Sequence, residues 1–204
     1  MGKWTRRAVL SAGVVGGTGL MVGVSVRPGN PTETAGHLVA GEGESLLHIF
    51  LKIDSDNRAT AILPHSEMGQ GAQTALTQML AEELDADWNL IQFVEAPAEA
   101  AFANYAFGRG YLFKGVEFPD AIVPTVDGLV MKLADSMGMQ VTGGSMSIRA
   151  TGQYCVRAAG ASVREMLVKT AAKGWGVPAR EIRTEKSKLY HDKSGRSAAY
   201  AEFA

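Results

Sequence analysis

Two short apolar runs open the patterned part of the chain. Residues 47–53 and 59–63 read as strands, and Asp54-Ser55-Asp56-Asn57 between them has the chemistry of a hairpin turn. From Ala72 the period changes. Ala72, Leu76, Met79, Leu80 and Leu84 recur at helical spacing, with Gln73, Thr77 and Glu82 outside that face. "LIQFVEAP" from Leu90 is a short strand closed by Pro97. A looser stretch follows, where Gly108-Arg109-Gly110 and the aromatics Phe102, Tyr105, Phe107, Tyr111 and Phe113 predict a packed loop. A helix is predicted from Pro119 through Ile122, Val126, Leu129, Val130 and Leu133 to about Gly138, and "VTGGSMSIRAT" interrupts the pattern. The next helix puts Val156, Ala159, Val163, Met166 and Leu167 on one face and ends around Gly174-Trp175-Gly176, with Pro178 as a stop. "REIRTEKSKLYHDKSGRS" reads as two short strands around turns, and "AAYAEFA" as a helix that has only begun. The order ββαβ, α, α, ββ predicts an α+β fold, a mixed sheet with packed helices.

Two loops in this pattern share a chemistry. Gly69-Gln70-Gly71 stands before the helix that starts at Ala72, and Thr142-Gly143-Gly144-Ser145-Met146-Ser147 stands before the later one. Helix N-termini carry unpaired N–H groups and a partial positive charge, so they attract anions. Glycines let a backbone approach a ligand closely, and serine hydroxyls add donors. Gln70 offers both a donor and an acceptor, which suits a polar ligand edge. The plainer alternative is that Gly69 only makes a turn and Ser147 only caps a helix. Neither loop has the nucleotide fingerprints: no Lys-Ser/Thr follows a glycine loop, and Gly108-x-Gly110 lacks the third glycine of a dinucleotide fold. Glu82-Glu83 reads as a solvated helix face and Glu67 as a surface carboxylate, with no chemistry assigned to either.

Composition narrows the function classes. The 204 residues suffice for one good core or two small ones, and a net charge of −1 gives no support for nucleic-acid binding. A single cysteine, Cys155, excludes an internal disulfide framework and reads as a packed thiol. His37, His48, His65 and His191 have no metal-ligand spacing. The N-terminus has Lys3, Arg6 and Arg7, then an uncharged, Gly-rich stretch from Ala8 to Val26. Thr5-Arg6-Arg7-Ala8-Val9-Leu10 looks like a twin-arginine export signal. Residues 1–27 are therefore read as the leader, 28–45 as a linker rich in Pro, Gly, Thr and Glu, and 46–204 as the folded domain. The expected location is the periplasm, with membrane association left open.

Four segments, "LPHSEMGQGAQTALTQMLAEELDADW", "FVEAPAEAAFAN", "VTGGSMSIRATG" and "RAAGASVREMLVKTAAKGWGVPAREIRTEKSKLYH", together resemble the molybdenum-cofactor subunit of the xanthine dehydrogenase/aldehyde oxidase family. The nearer branch is that of the isoquinoline 1-oxidoreductase beta subunit and the bacterial membrane-associated aldehyde dehydrogenases. The resemblance implies a partial molybdopterin-binding domain and a cofactor in its cytosine dinucleotide form. It places Gly69, Gln70 and Gly71 on one wall of the cofactor site and Gly144, Ser145, Met146 and Ser147 on the other. It implies oxidation of an aldehyde or N-heterocycle, with water as the oxygen source. Its implied partners are a subunit carrying iron–sulfur clusters, the remaining molybdenum-subunit domains and a cytochrome c acceptor. Family members are several times longer and hold their catalytic glutamate near the far C-terminus, so no catalytic residue is assigned here and the isolated chain is expected to be inactive. The alternative is an exported binding or assembly module without turnover, or a truncated remnant.

Overall fold

The computed structural model describes residues 36–114 and 116–204. The leader read at 1–27 and the linker residues 28–35 lie outside them. Residues 36–39 form one helical turn, and the first strand begins at Glu44, inside the segment read as linker.

Strands β1 (Glu44–His48), β2 (Leu51–Asp54) and β3 (Ala59–Leu63) make an antiparallel meander, and β4 (Ile91–Glu95) joins β3 in parallel. The run at 47–53 is thus two strands rather than one, because the chain turns at Ile49-Phe50 and the register slips between Leu46 and His48. That turn separates two cores. Leu51 and Ile53 enter the main one, while Ile49 packs with Ile62 and Phe102 in a second. Parallel neighbours need a crossover, and helix α1 (Ala72–Leu84) supplies it between β3 and β4.

The stretch read as a packed loop is helical instead. Its main part is α2 (Tyr105–Leu112), which packs on α3 (Val123–Ser136). The glycines that suggested a loop serve close contact: a Cβ at Gly110 would stand 2.5 Å from the Met146 side chain, and one at Gly108 3.6 Å from Val130. Helix α3 starts later than Pro119, with Pro124 in its first turn, where a missing N–H costs nothing. Nor does the chain stay irregular through "VTGGSMSIRAT". Helix α4 (Ser145–Thr151) begins there and continues through a π turn, Gly152–Val156, into α5 (Arg157–Trp175).

Helices α1 and α5 form the centre of the molecule. Leu76, Leu80 and Leu84 of α1 meet Val163 and Leu167 of α5 beneath the sheet residues Leu51, Ile53 and Leu63. Each such side chain contributes about 1.5–3 kcal/mol when fully buried. The C-terminal region holds three antiparallel strands, β5 (Arg183–Glu185), β6 (Lys188–His191) and β7 (Arg196–Ala199), where the sequence suggested two. The final stretch is a single 3-10 turn, Tyr200–Glu202, rather than the start of a helix. This small sheet is fastened to the end of α1. The buried Tyr200 hydroxyl donates to the Leu84 carbonyl at 2.7 Å, and Asp85 accepts from Arg164 at 2.9 Å and from Thr184. The expected α+β class is therefore found, with a four-stranded mixed sheet and a three-stranded one sharing a core. Among the described residues no helix is long and apolar enough to cross a membrane.

Candidate functional site

The first loop leaves the buried strand β3 and enters α1 through Gly71, whose φ of 72° is left-handed, as is that of Gly69 at 87°. A Cβ at either glycine would meet nothing within 4 Å, so packing does not require glycine there; the backbone conformation does. The loop's donors are already engaged by its own side chains. Glu67 accepts the N–H groups of Gly69 at 2.8 Å, Gly71 at 2.9 Å and Gln73 at 3.3 Å. Those backbone bonds, Gly71's foremost, hold the Glu67 carboxyl below the ordinary carboxylate range. Gln70 also folds inward, accepting from Met68 N and donating to the Ser66 carbonyl at 2.9 Å. The anion at this helix start is thus the chain's own, and a free helix terminus facing a ligand, as the sequence suggested, is not what this end of the site presents.

The second loop is more open. Gly144 caps α4 with φ −71° and ψ −127°, outside the common helical and extended regions, and a Cβ on it would meet nothing within 4 Å. Ser145 is exposed and Met146 half-buried. Ser147 is buried and lies in the first turn of α4 rather than at its cap, where its hydroxyl accepts the Gly143 N–H at 2.6 Å. That side chain shapes the loop, while Gly144 and the exposed Ser145 leave it open.

The two loops adjoin. Ser66 N donates to the Thr142 hydroxyl at 3.0 Å, and His65 Nε2 lies 2.7 Å from the Thr151 hydroxyl, both side chains being buried. Burial holds the His65 pKa below its ordinary value, with the Val141 backbone pulling weakly the other way. From the sequence, Thr142 stood in the second loop without a role, Glu67 read as a surface carboxylate, and His65 and Thr151 had no part here. Glu67 alone carried a signal, since a carboxylate just before a helix start suits the orphan N–H groups and the dipole. Cys155 is buried, and desolvation pushes its thiol up to about 12, in keeping with a packed, unreactive residue.

With that geometry in place, similarity to known proteins becomes informative. No family model matches the chain. Over 156 residues it is 33% identical to isoquinoline 1-oxidoreductase subunit beta of Brevundimonas diminuta. The chain belongs to that family. The matched region is 76% of this chain and 16% of the relative, so the chain corresponds to a small part of the relative's length.

Proposed function

We propose that the chain forms part of the molybdenum-cofactor-binding region of an isoquinoline 1-oxidoreductase-type enzyme. One observation carries the reading. Gly69 and Gly71 hold left-handed backbone that is costly for other residues, they and Gly144 each face open space, and the loops that carry them are joined by the Ser66–Thr142 bond. Empty-sided glycine turns at adjoining helix starts suit a ligand that must lie against backbone. Gly69, Gln70 and Gly71 would hold one side of a molybdopterin, in its cytosine dinucleotide form, and Gly144, Ser145 and Met146 the other, with Ser147 fixing the loop from beneath. Once bound, the cofactor supplies the redox centre for oxidation of an aldehyde or N-heterocycle with oxygen taken from water. This chain's contribution is to bind and orient. An iron–sulfur subunit, the remaining domains of the molybdenum subunit and a cytochrome c acceptor complete the proposed assembly. Arg6-Arg7 supports its export by the twin-arginine route to the periplasm.

A second reading has its own observation. Glu67 satisfies three N–H groups of the first loop, which suits a self-contained cap in a binding or assembly module without turnover. Pterin content per folded molecule, measured by fluorescence on the assembled enzyme, separates the two. Ser145→Ala would remove the proposed hydrogen bond to the cofactor, worth about 1 kcal/mol, and is expected to lower retention modestly. Gly71→Val blocks backbone approach and is expected to lower it severely. Normal pterin content in both folded variants would leave only the cap.

A further inference from the structure

Strand β4 ends the four-stranded sheet, and no strand among the described residues lies beyond it. Ala96 N donates to the Leu63 carbonyl at 2.9 Å, and the β3–β4 register runs unbroken from Ala59–Ile91 to Leu63–Glu95. Backbone groups alternate in direction along a ladder. Gln92 and Val94 therefore turn theirs toward β3, and Ile91, Phe93 and Glu95 turn theirs to the open edge. Sheet edges are ordinarily blunted by lysine, proline, a bulge or a covering element. Strand β4 has no lysine, no proline and no slip in its pairing. The opposite edge differs, because β1 is half-buried and its register slips between Leu46 and His48. Parallel strands are ordinarily covered on both faces, as β3 is, yet Gln92, Phe93, Val94 and Glu95 are all exposed. Phe93 shares a face with Glu95, which accepts from Gln73 of α1 at 2.8 Å, and is still 42% exposed; Val94, on the other face, is 39% exposed. Trp88, just before the strand, is 51% exposed.

We propose that the open edge of β4 docks a strand from the remainder of a family-length subunit, apolar at its centre and basic at its ends. The proposal rests on the assembly with the remaining subunit domains described above, and not on the cofactor reading of the glycine loops. The matched region is 16% of the relative, so most of a subunit of that length is polypeptide outside this fold. Charge around the edge selects the ends of the incoming strand. Asp87, Glu95 and Glu99 lie along or beside β4, and no Lys or Arg occurs between Arg58 and Arg109. Opposite charges across a strand pair stabilise it and like charges oppose it. A second copy of the chain fits less well. Antiparallel pairing of two β4 strands about Phe93 sets the Asp87 end of one against the Glu99 end of the other. Main-chain bonds to Phe93 and Glu95 supply the affinity, and Phe93 and Val94 meet alternate side chains of the added strand.

Hydrogen exchange of the full chain, resolved amide by amide, tests the edge with a lysine-flanked peptide of alternating valine and threonine. The peptide is expected to slow exchange at Phe93 and Glu95 by at least about tenfold, and a glutamate-flanked version to bind at least about tenfold more weakly. Phe93→Pro removes the outward N–H but leaves the bonds of Gln92 and Val94 to β3, so the chain should fold and lose the peptide. Phe93→Ala keeps that N–H and should weaken binding much less. If Phe93→Pro fails to fold by circular dichroism, a peptide N-methylated at alternate residues, which cannot complete the ladder, takes its place. In the assembled enzyme the Phe93 and Glu95 amides should be protected with no peptide added. Ser145→Ala should leave peptide binding unchanged, so that loss of the loop reading and loss of this one are told apart. Equal binding of the two peptides, equal effects of Phe93→Pro and Phe93→Ala, or fast exchange at Phe93 and Glu95 in the assembled enzyme would overturn the proposal. So would a dimer of the chain alone, seen by sedimentation, that Phe93→Pro dissolves.

Discussion

Replacing Gly160 by alanine tests how closely α1 and α5 approach. A Cβ at that position would stand 2.7 Å from the Leu80 carbonyl oxygen, 3.0 Å from Glu83 Cβ and 3.3 Å from Leu84 N. Two of those three atoms are backbone of α1, which cannot swing aside as a side-chain tip can. The helix itself must move away, and with it the packing of Leu76, Leu80 and Leu84 against Val163 and Leu167. Overpacking of this kind costs about 1–3 kcal/mol, and contact with backbone belongs in the upper half of that range. The change also gains about 1 kcal/mol of helix propensity. A net loss of about 1–2 kcal/mol remains, or roughly 3–6 °C in Tm for a chain of this size. Gly152→Ala is the control. Its new Cβ would lie 2.5 Å from Met79 Sδ, but that is the movable end of a half-buried side chain, so the net effect should stay within about 0.5 kcal/mol. Urea unfolding at constant m-value reads both. Were Gly160→Ala to stabilise the protein by the propensity gain alone, the tight crossing of the two helices would be refuted.

Glu67→Gln should speed hydrogen exchange at the Gly69, Gly71 and Gln73 amides, and unchanged protection would remove Glu67 from the loop's support. Because those amides lower the folded carboxyl pKa, the Glu67 contribution is full above the ordinary carboxylate range and is lost as pH falls through the folded value; a carboxyl titration by NMR follows it. Burial lowers the pKa of His48 and His65 from 6.5, so the unfolded chain binds more protons as the pH drops below that value. Stability should be level above pH 6.5 and decline below it, and a flat urea midpoint down to pH 5 would contradict this. Lys186→Gly should stabilise by about 0.5–1 kcal/mol, since Lys186 holds φ 46° in the β5–β6 turn and a left-handed residue with a Cβ costs about 1–2 kcal/mol, part of which glycine returns as chain entropy. A loss of stability on that change would mean the lysine side chain holds the turn.

What could be read from the chain depended on whether local pattern or tertiary contact decided the outcome. Helix α1 was legible at its first residue because Leu76, Leu80 and Leu84 face one core, Ala72 is buried at the same helical spacing, and a left-handed glycine precedes it. The end of α5 was equally legible, since Gly176 takes the left-handed cap position. Residues 105–112 were not. Gly108 and Gly110 read as loop formers in isolation, and only the closeness of Val130 and Met146 shows that a helix uses them for contact. The turn at Lys186-Ser187 was also hidden, because two non-glycine residues hold positive φ there. Ser187 is kept in place by its N–H to the Asp85 carbonyl, its hydroxyl accepting from Asp87 N, and its carbonyl accepting from Asn57 and Tyr200. Those partners lie up to 130 residues away, and no window of sequence contains them.

The candidate site divides along the same line. Both glycine loops were visible as sequence, because glycine and serine before a helical period are local facts. Their unequal state was not. At the first loop a carboxylate of the chain occupies the amides, so a ligand there meets negative charge unless Glu67 moves. At the second, the open side of Gly144 and the exposed Ser145 lead toward Met146. Met146 also lines a cleft that carries Arg149 and Lys114. Electrostatics alone would therefore turn the anionic end of any shared ligand away from Glu67 and toward the second loop, leaving the first to contact its uncharged part. Helix termini that look equivalent in sequence are made different by one side chain four residues upstream of the second glycine, and a ligand bound between them would be oriented by that difference.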